Sequence, residues 1–178
     1  MAEIIYTVGH STHRAEEFLR LLKRRRVRTL ADIRRWPSSR RFPHFRAEAL
    51  RDFLTAHGIL YRHFPALGGW RKPRPDSPNT GLTSPGFRGY ADHMESPEFQ
   101  EALSELLDLA RREPTALMCA EGLPWRCHRW FLSDLLLVRG LRVLHILPDG
   151  NLREHRLHPL ARRKGDRVVY PAPLNLSK

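Results

Sequence analysis

Apolar positions along this chain alternate between two rhythms. Short β-prone runs at Ile4–Val8, Thr29–Ile33, Ile59–Phe64, Ala116–Cys119 and Arg142–Leu147 are separated by stretches with helical spacing. In the first of these stretches Ala15, Phe18, Leu19 and Leu22 fall at i, i+3, i+4 and i+7, forming one apolar stripe. Ser11 or Thr12 is placed to cap that helix. A second helix is expected from about Arg46 to His57, burying Leu50, Phe53 and Leu54 and stopped by Gly58. A third, opened by Ser96 or Pro97, turns Phe99, Leu103, Leu106, Leu107 and Ala110 inward. A fourth begins near Cys127 and ends at Gly140, and a late strand falls at Arg167–Tyr170. Strands this apolar suit burial on both faces. The pattern predicts a single α/β domain over residues 1–178, with a mostly parallel sheet of about five strands, helices on both faces and right-handed crossovers. The tail from about residue 148 is polar and mixed.

Residues 65–87 interrupt the alternation. Gly68, Gly69, Pro73, Pro75, Pro78, Gly81, Pro85 and Gly86 make an excursion longer than compact domains usually carry. It reads either as a lid or binding loop, or as a flexible excursion.

Composition narrows the class. Charged residues make up 28% and hydrophobic ones 41% of the 178 positions, a globular balance. No apolar run approaches the roughly 20 residues that span a bilayer, so no membrane partner is expected. The start, MAEIIYTVGH, lacks a basic region followed by a long apolar stretch, and two cysteines without an export signal are expected to be reduced. These features point to a cytoplasmic location. The formal net charge of +12 favours anionic partners, either small molecules or nucleic acid. Only Lys23, Lys72, Lys164 and Lys178 are lysines, so the charge also reads as a compositional preference for arginine.

The chemistry concentrates in ALMCAEGLPWRCHRWFLSDLLLVRG, residues 116–140. A strand ends at Cys119 and a helix begins near Cys127. The loop between holds Glu121 and Arg126, and His128 and Arg129 follow. Backbone N–H groups at a helix start attract anions and lower the pKa of a nearby thiol. Cys119 is the first candidate nucleophile, and Cys127 its rival or a resolving thiol. Both also fit as small packing residues. His128 suits acid/base work or a structural hydrogen bond. Glu121 suits substrate orientation or acceptance of helix N–H bonds. Arg129 suits an oxyanion clamp or a pair with Asp32. In a parallel sheet all strand exits share one edge, where ligands bind. His10-Ser11, Asp32 with Arg34, and the Cys119–Arg129 segment should therefore converge, with His10, Ser11, Asp32, Arg34, Arg126 and Arg129 as anion-binding candidates. Asp32 also suits a cap on its own turn. Cys119, Cys127, His128 and His10 are ligand types zinc accepts, but Cys-x7-Cys-His is not a usual zinc spacing, so neither metal nor cofactor is expected.

With these residues assembled, the chain resembles the bacterial and archaeal family called domain of unknown function 488. The matching pieces are YTVGHST, LADIRRWPSS, LGGWR, RGYADHM-S-EF, LMCAE, CHR and VLHIL, in order over roughly residues 4–147. The resemblance implies a compact α/β domain whose motif positions are Gly9-His10-Ser11, Asp32, Arg34, Cys119, Glu121, Cys127, His128 and Arg129. It implies no activity. A weaker likeness of layout is to rhodanese-type sulfurtransferases and cysteine phosphatases, where an Asp-x-Arg follows an early strand and a Cys ends a later one. Those families place Arg six positions after the nucleophile. Here that position is Trp125, and Pro124 removes a backbone donor.

Two functions are therefore expected to compete, with a metal-binding protein as a third, lesser alternative. One is an enzyme using the Cys119–Arg129 loop on a phosphate-bearing substrate, such as a nucleotide or nucleic acid. The other is a nucleic-acid-binding module without chemistry, built on Arg35, Arg40, Arg41, Phe42, Phe45, Arg71 and Arg74, where arginines beside aromatics combine phosphate contact with base stacking.

Overall fold

The computed structural model describes residues 3–174. Five strands run parallel: β1 (Ile4–Gly9), β2 (Thr29–Asp32), β3 (Leu60–His63), β4 (Thr115–Cys119) and β5 (Arg142–Ile146). A sixth, β6 (Leu152–Glu154), pairs antiparallel with β5 at one edge. Across the sheet the order is β3-β2-β4-β1-β5-β6. Helices α1 (Ala15–Arg24) and α2 (Ala47–Ala56) cover one face, where Phe18, Leu22, Leu50 and Leu54 pack on Val8, Leu30, Ala116 and Met118. Helices α3 (Pro85–His93), α4 (Pro97–Arg112) and α5 (Arg129–Val138) cover the other, over Ile5, Ala31, Leu117 and Val143. The period-two alternation of a strand assigns the faces. In β4, Ala116 and Met118 turn to the first layer, Leu117 and Cys119 to the second.

This topology opens a crevice at one place. β1 and β4 are neighbours, with Gly9 paired to Cys119. The chain leaves β1 for α1 on one face and leaves β4 for α5 on the other. Where two adjacent strands send their helices to opposite faces, the space beyond their carboxyl ends stays uncovered.

The parallel α/β sheet follows the sequence pattern closely, and the departures are local. Arg14, not Ser11 or Thr12, caps α1, and its backbone and side-chain N–H groups both reach Glu17. Helix α3 was hidden by Pro85, Gly86 and Gly89, poor helix formers in an interior. Pro85 occupies the first turn, where its missing N–H costs nothing, and Ser84 accepts the Phe87 N–H. Gly89 is required because the Arg71 backbone passes where a Cβ would stand. The late strand, β8 (Arg167–Val169), pairs with β7 (Arg162–Lys164) as a hairpin off the main sheet.

The 65–87 excursion is held down. Asp92 accepts the Arg74 N–H, the Ser77 hydroxyl and the Asn79 amide, and Asn79 in turn accepts the Tyr170 N–H.

Candidate active site at the sheet's switch point

The site begins with a backbone crossing. Beyond β1 the ladder to β4 continues, with His10 N–H donating to the Cys119 carbonyl (2.9 Å) and Ser11 N–H to that of Ala120 (3.0 Å). The Glu121 carbonyl then crosses over Gly9, where any Cβ would collide with it. Ser11 accepts a left-handed φ of 49° to complete the turn. Glu121 folds back to accept the Leu123 N–H (3.1 Å), and a short 3-10 turn at Pro124–Arg126 delivers Cys127 and His128 to the start of α5.

The two thiols meet in this loop. Their sulfurs lie 3.0 Å apart, and neither forms a disulfide. Their surroundings differ. Burial, reinforced by the hydrogen bond to Cys127, pushes the Cys119 thiol well above its usual range. At Cys127 burial also pushes upward, but the Cys119 thiol, the charge of Arg129 and the Arg129 N–H (3.5 Å) outweigh it, and the net shift is downward. His128 Nδ1 is 3.5 Å from the Cys127 sulfur. Burial keeps the His128 pKa below the ordinary histidine value, so its ring is neutral at pH 7. Tyr90 meets that ring edge-on at 4.8 Å and anchors its own hydroxyl on the Leu67 carbonyl.

Arg34 supplies the positive charge. Asp32, fully buried, takes its backbone N–H, its Nε (2.9 Å) and its Nη2 (2.7 Å), and also the Tyr61 hydroxyl. This bidentate fork fixes the guanidinium. Two adjoining clefts share Arg34, Trp36, Ala120 and Glu121 as a common wall. The larger, about 470 Å³, adds His10, Ser11, Arg40, Arg41 and Phe42. The smaller, about 360 Å³, adds Cys119, Cys127, His128, Arg35, Arg126 and Trp70. His10 stacks on Phe45 at 4.4 Å, and burial lowers its pKa to about 4, so it lines the larger cleft as a neutral ring.

The fold thus gathers nine of the ten candidates named from sequence: eight along the clefts, and Asp32 beneath them holding Arg34. Arg129 departs from both of its expected roles. It lines neither cleft, and Asp32 is taken by Arg34 and Tyr61. Instead its guanidinium is fully buried, donating Nη2 to the Gly122 carbonyl (3.1 Å), while Nε and Nη1 have no hydrogen-bond partner among the described residues. In the nucleic-acid set, Phe45 is a core residue with no exposed face. Arg71 is bound to the Gly68 and Pro65 carbonyls. Arg35, Arg40, Arg41 and Phe42 do reach the clefts.

Three features escaped the sequence. The first is a set of exposed tryptophans: Trp36 (61%), Trp70 (80%) and Trp125 (42%), of which Trp36 and Trp70 wall the smaller cleft. Their setting in polar, Pro/Gly-rich segments was the available signal. The second is Tyr61, the second residue of β3 and silent in sequence as a partner of Asp32. The third is a buried chain behind the site. The Thr7 hydroxyl meets His145 (2.6 Å), His145 meets His155 (2.9 Å), and His155 meets Asp134 (2.7 Å), which also accepts the Tyr170 hydroxyl (2.7 Å). No sequence signal links residues that far apart. No group of three or more potential metal ligands gathers among the described residues, and none of the described helices is long and apolar enough to cross a membrane.

The sequence profile described as "Domain of unknown function DUF488" matches residues 14–136, about two thirds of the chain. No curated protein and no solved structure matches it. The chain belongs to the DUF488 family.

Proposed function

We propose that this DUF488 protein is a thiol-dependent enzyme acting on an anionic, phosphate-bearing substrate such as a nucleotide or nucleic acid, with Cys127 as its nucleophile. The observation that carries the reading is the unequal pair of thiols. Both thiols line the cleft, but Cys127 sits at the start of α5 with the Arg129 N–H aimed at its sulfur and ionises the more readily, whereas burial and its hydrogen bond to Cys127 make the Cys119 thiol resist ionisation. A thiolate is the reactive form of cysteine, and the group that ionises more readily is the one that attacks. Neutral His128, 3.5 Å away, accepts the thiol proton and returns one to the leaving group. Arg34, Arg35 and Arg126 along the same cleft balance substrate charge. Glu121, with one carboxylate oxygen occupied by the Leu123 N–H, shapes the loop and the wall between the clefts.

The test is turnover of a panel of phosphate esters, nucleotides and short oligonucleotides by the wild type, Cys127→Ser and Cys119→Ser. Loss of activity in Cys127→Ser with ligand binding intact is the expected result; activity surviving in both variants rejects thiol catalysis. A second reading, a nucleic-acid-binding module without chemistry, draws on the exposed Trp36 and Trp70 and on Arg35, whose guanidinium lies 4.7 Å over the Trp36 ring. It requires oligonucleotide binding that falls steeply with salt, is weakened by Trp36→Ala and Trp70→Ala, and is accompanied by no turnover.

A further inference from the structure

Two buried sulfurs 3.0 Å apart exceed what a single nucleophile needs. A disulfide brings sulfurs to about 2.05 Å, so closure here asks for a movement of about 1 Å. Arg129 adds an independent observation. A buried guanidinium costs several kcal/mol unless opposite charge or hydrogen bonds offset the lost hydration. Among the described residues Arg129 has one carbonyl partner at Nη2 and none at Nε or Nη1, and its backbone N–H lies on the Cys127 sulfur. A thiolate at Cys127 supplies the missing negative charge, and a disulfide removes it.

We propose that Cys119 is the resolving thiol of Cys127, so that the loop is a two-electron thiol–disulfide centre whose reaction partner is a small, negatively charged disulfide. The proposal rests on the reactivity of Cys127 proposed above, and extends it to a different class of chemistry. The Cys127 thiolate attacks one sulfur of RSSR, breaking the S–S bond, forming Cys127–S–S–R and releasing RS⁻. Cys119 then yields its proton to that RS⁻, and its sulfur attacks the Cys127 sulfur, expelling a second RS⁻. The protein loses two electrons and RSSR gains them: thiolate plus thiol plus RSSR gives the Cys119–Cys127 disulfide, RSH and RS⁻. A thiol in excess reverses both steps. Arg34, Arg35 and Arg126 along the entry cleft select for negative charge on R. Because Arg129 stabilises the thiolate and not the disulfide, the oxidised centre is readily reduced.

Reduced protein incubated with oxidised glutathione, an anionic disulfide, is expected to lose two hydrogens by mass and retain no glutathione. Cys119→Ser should stop at one glutathione on Cys127, and Cys127→Ser should remain unmodified. Cystamine, a cationic disulfide, should react at least tenfold more slowly. Arg129→Met should lower the equilibrium constant for reduction by glutathione at least tenfold, about 30 mV. Wild type that keeps a stable mixed disulfide, or that carries the adduct on Cys119, overturns the resolving role. Cystamine reacting as fast as oxidised glutathione overturns the anionic partner. A Cys127 that alkylates rapidly but never closes onto Cys119 defeats this inference and leaves the proposed function standing; a Cys127 inert to both reagents defeats both.

Discussion

Two buried polar clusters lie on the same side of the sheet, and they are finished to different degrees. Behind α5, the chain Thr7–His145–His155–Asp134–Tyr170 has a partner at every link. Asp134 accepts from His155, Tyr170 and the His158 N–H. One consistent set of neutral tautomers runs through it: Thr7 donates to His145 Nδ1, His145 Nε2–H to His155 Nδ1, and His155 Nε2–H to Asp134. At the switch point, by contrast, Arg129 is just as deeply buried, and two of its nitrogens, Nε and Nη1, have no partner among the described residues. A fully satisfied network specifies structure, while a buried donor left without a partner marks a position held for something else. The first cluster anchors the tail to the sheet. The second is organised around the Cys127 sulfur, which accepts the Arg129 N–H.

The sharpest way to break the first cluster is Asp134→Ala, which strands His155, Tyr170 and the His158 N–H together. A loss of about 3–5 kcal/mol in urea unfolding is expected, with the tail becoming protease-sensitive. Next comes acid. Burial holds the pKa of His145 down to about 2 and that of His10 to about 4, against 6.5 unperturbed. Below pH 6.5 the unfolded chain takes up protons that these rings refuse in the fold. Their contribution is therefore complete above pH 6.5 and falls with the pH, toward 4 for His10 and on toward 2 for His145, by roughly 2 kcal/mol per histidine at pH 5. Replacing His10 with Phe, which preserves a ring against Phe45, should remove one share of that slope in denaturation curves at pH 7 and pH 5.

The second cluster should respond in the opposite sense. Arg129→Met removes a buried charge with unfilled donors, so stability should stay within about 1 kcal/mol of wild type or rise. Alkylation of Cys127 should nevertheless slow at least tenfold, equivalent to about 1.4 kcal/mol. The smallest structural effect belongs to the rim. Trp36→Ala and Trp70→Ala should change stability by no more than about 0.5 kcal/mol, because both side chains are already in water. Any ligand that stacks in the cleft should then bind more weakly, as read by the remaining tryptophan fluorescence.

Much of this was legible in the chain, for identifiable reasons. Five apolar runs separated by helical stripes carry the parallel sheet, because burial on both faces leaves a continuous signature. The convergence of His10, Asp32, Arg34 and Cys119 followed from the shared edge of such a sheet. The hidden parts depend on pairings distant in sequence. Asp32 finds Tyr61 29 positions on, and Thr7 finds His145 138 positions on. The ranking of the two thiols was also out of reach, since it turns on Arg129 lying beneath the loop and not in the cleft. Helix α3 was concealed because its proline and glycines serve a cap and a close backbone crossing, uses that propensity alone reads as loop.

The central claim is that Cys127, poised by Arg129 and backed by Cys119, is the reactive thiol. Peptide-mapped mass spectrometry of iodoacetamide labelling, followed in time between pH 5 and 10, tests it directly. Cys127 should be modified first, with a midpoint below the roughly 8.5 of an ordinary thiol, and Cys119 only when the protein unfolds. Equal labelling of the two cysteines, or Cys119 reacting first, would contradict it.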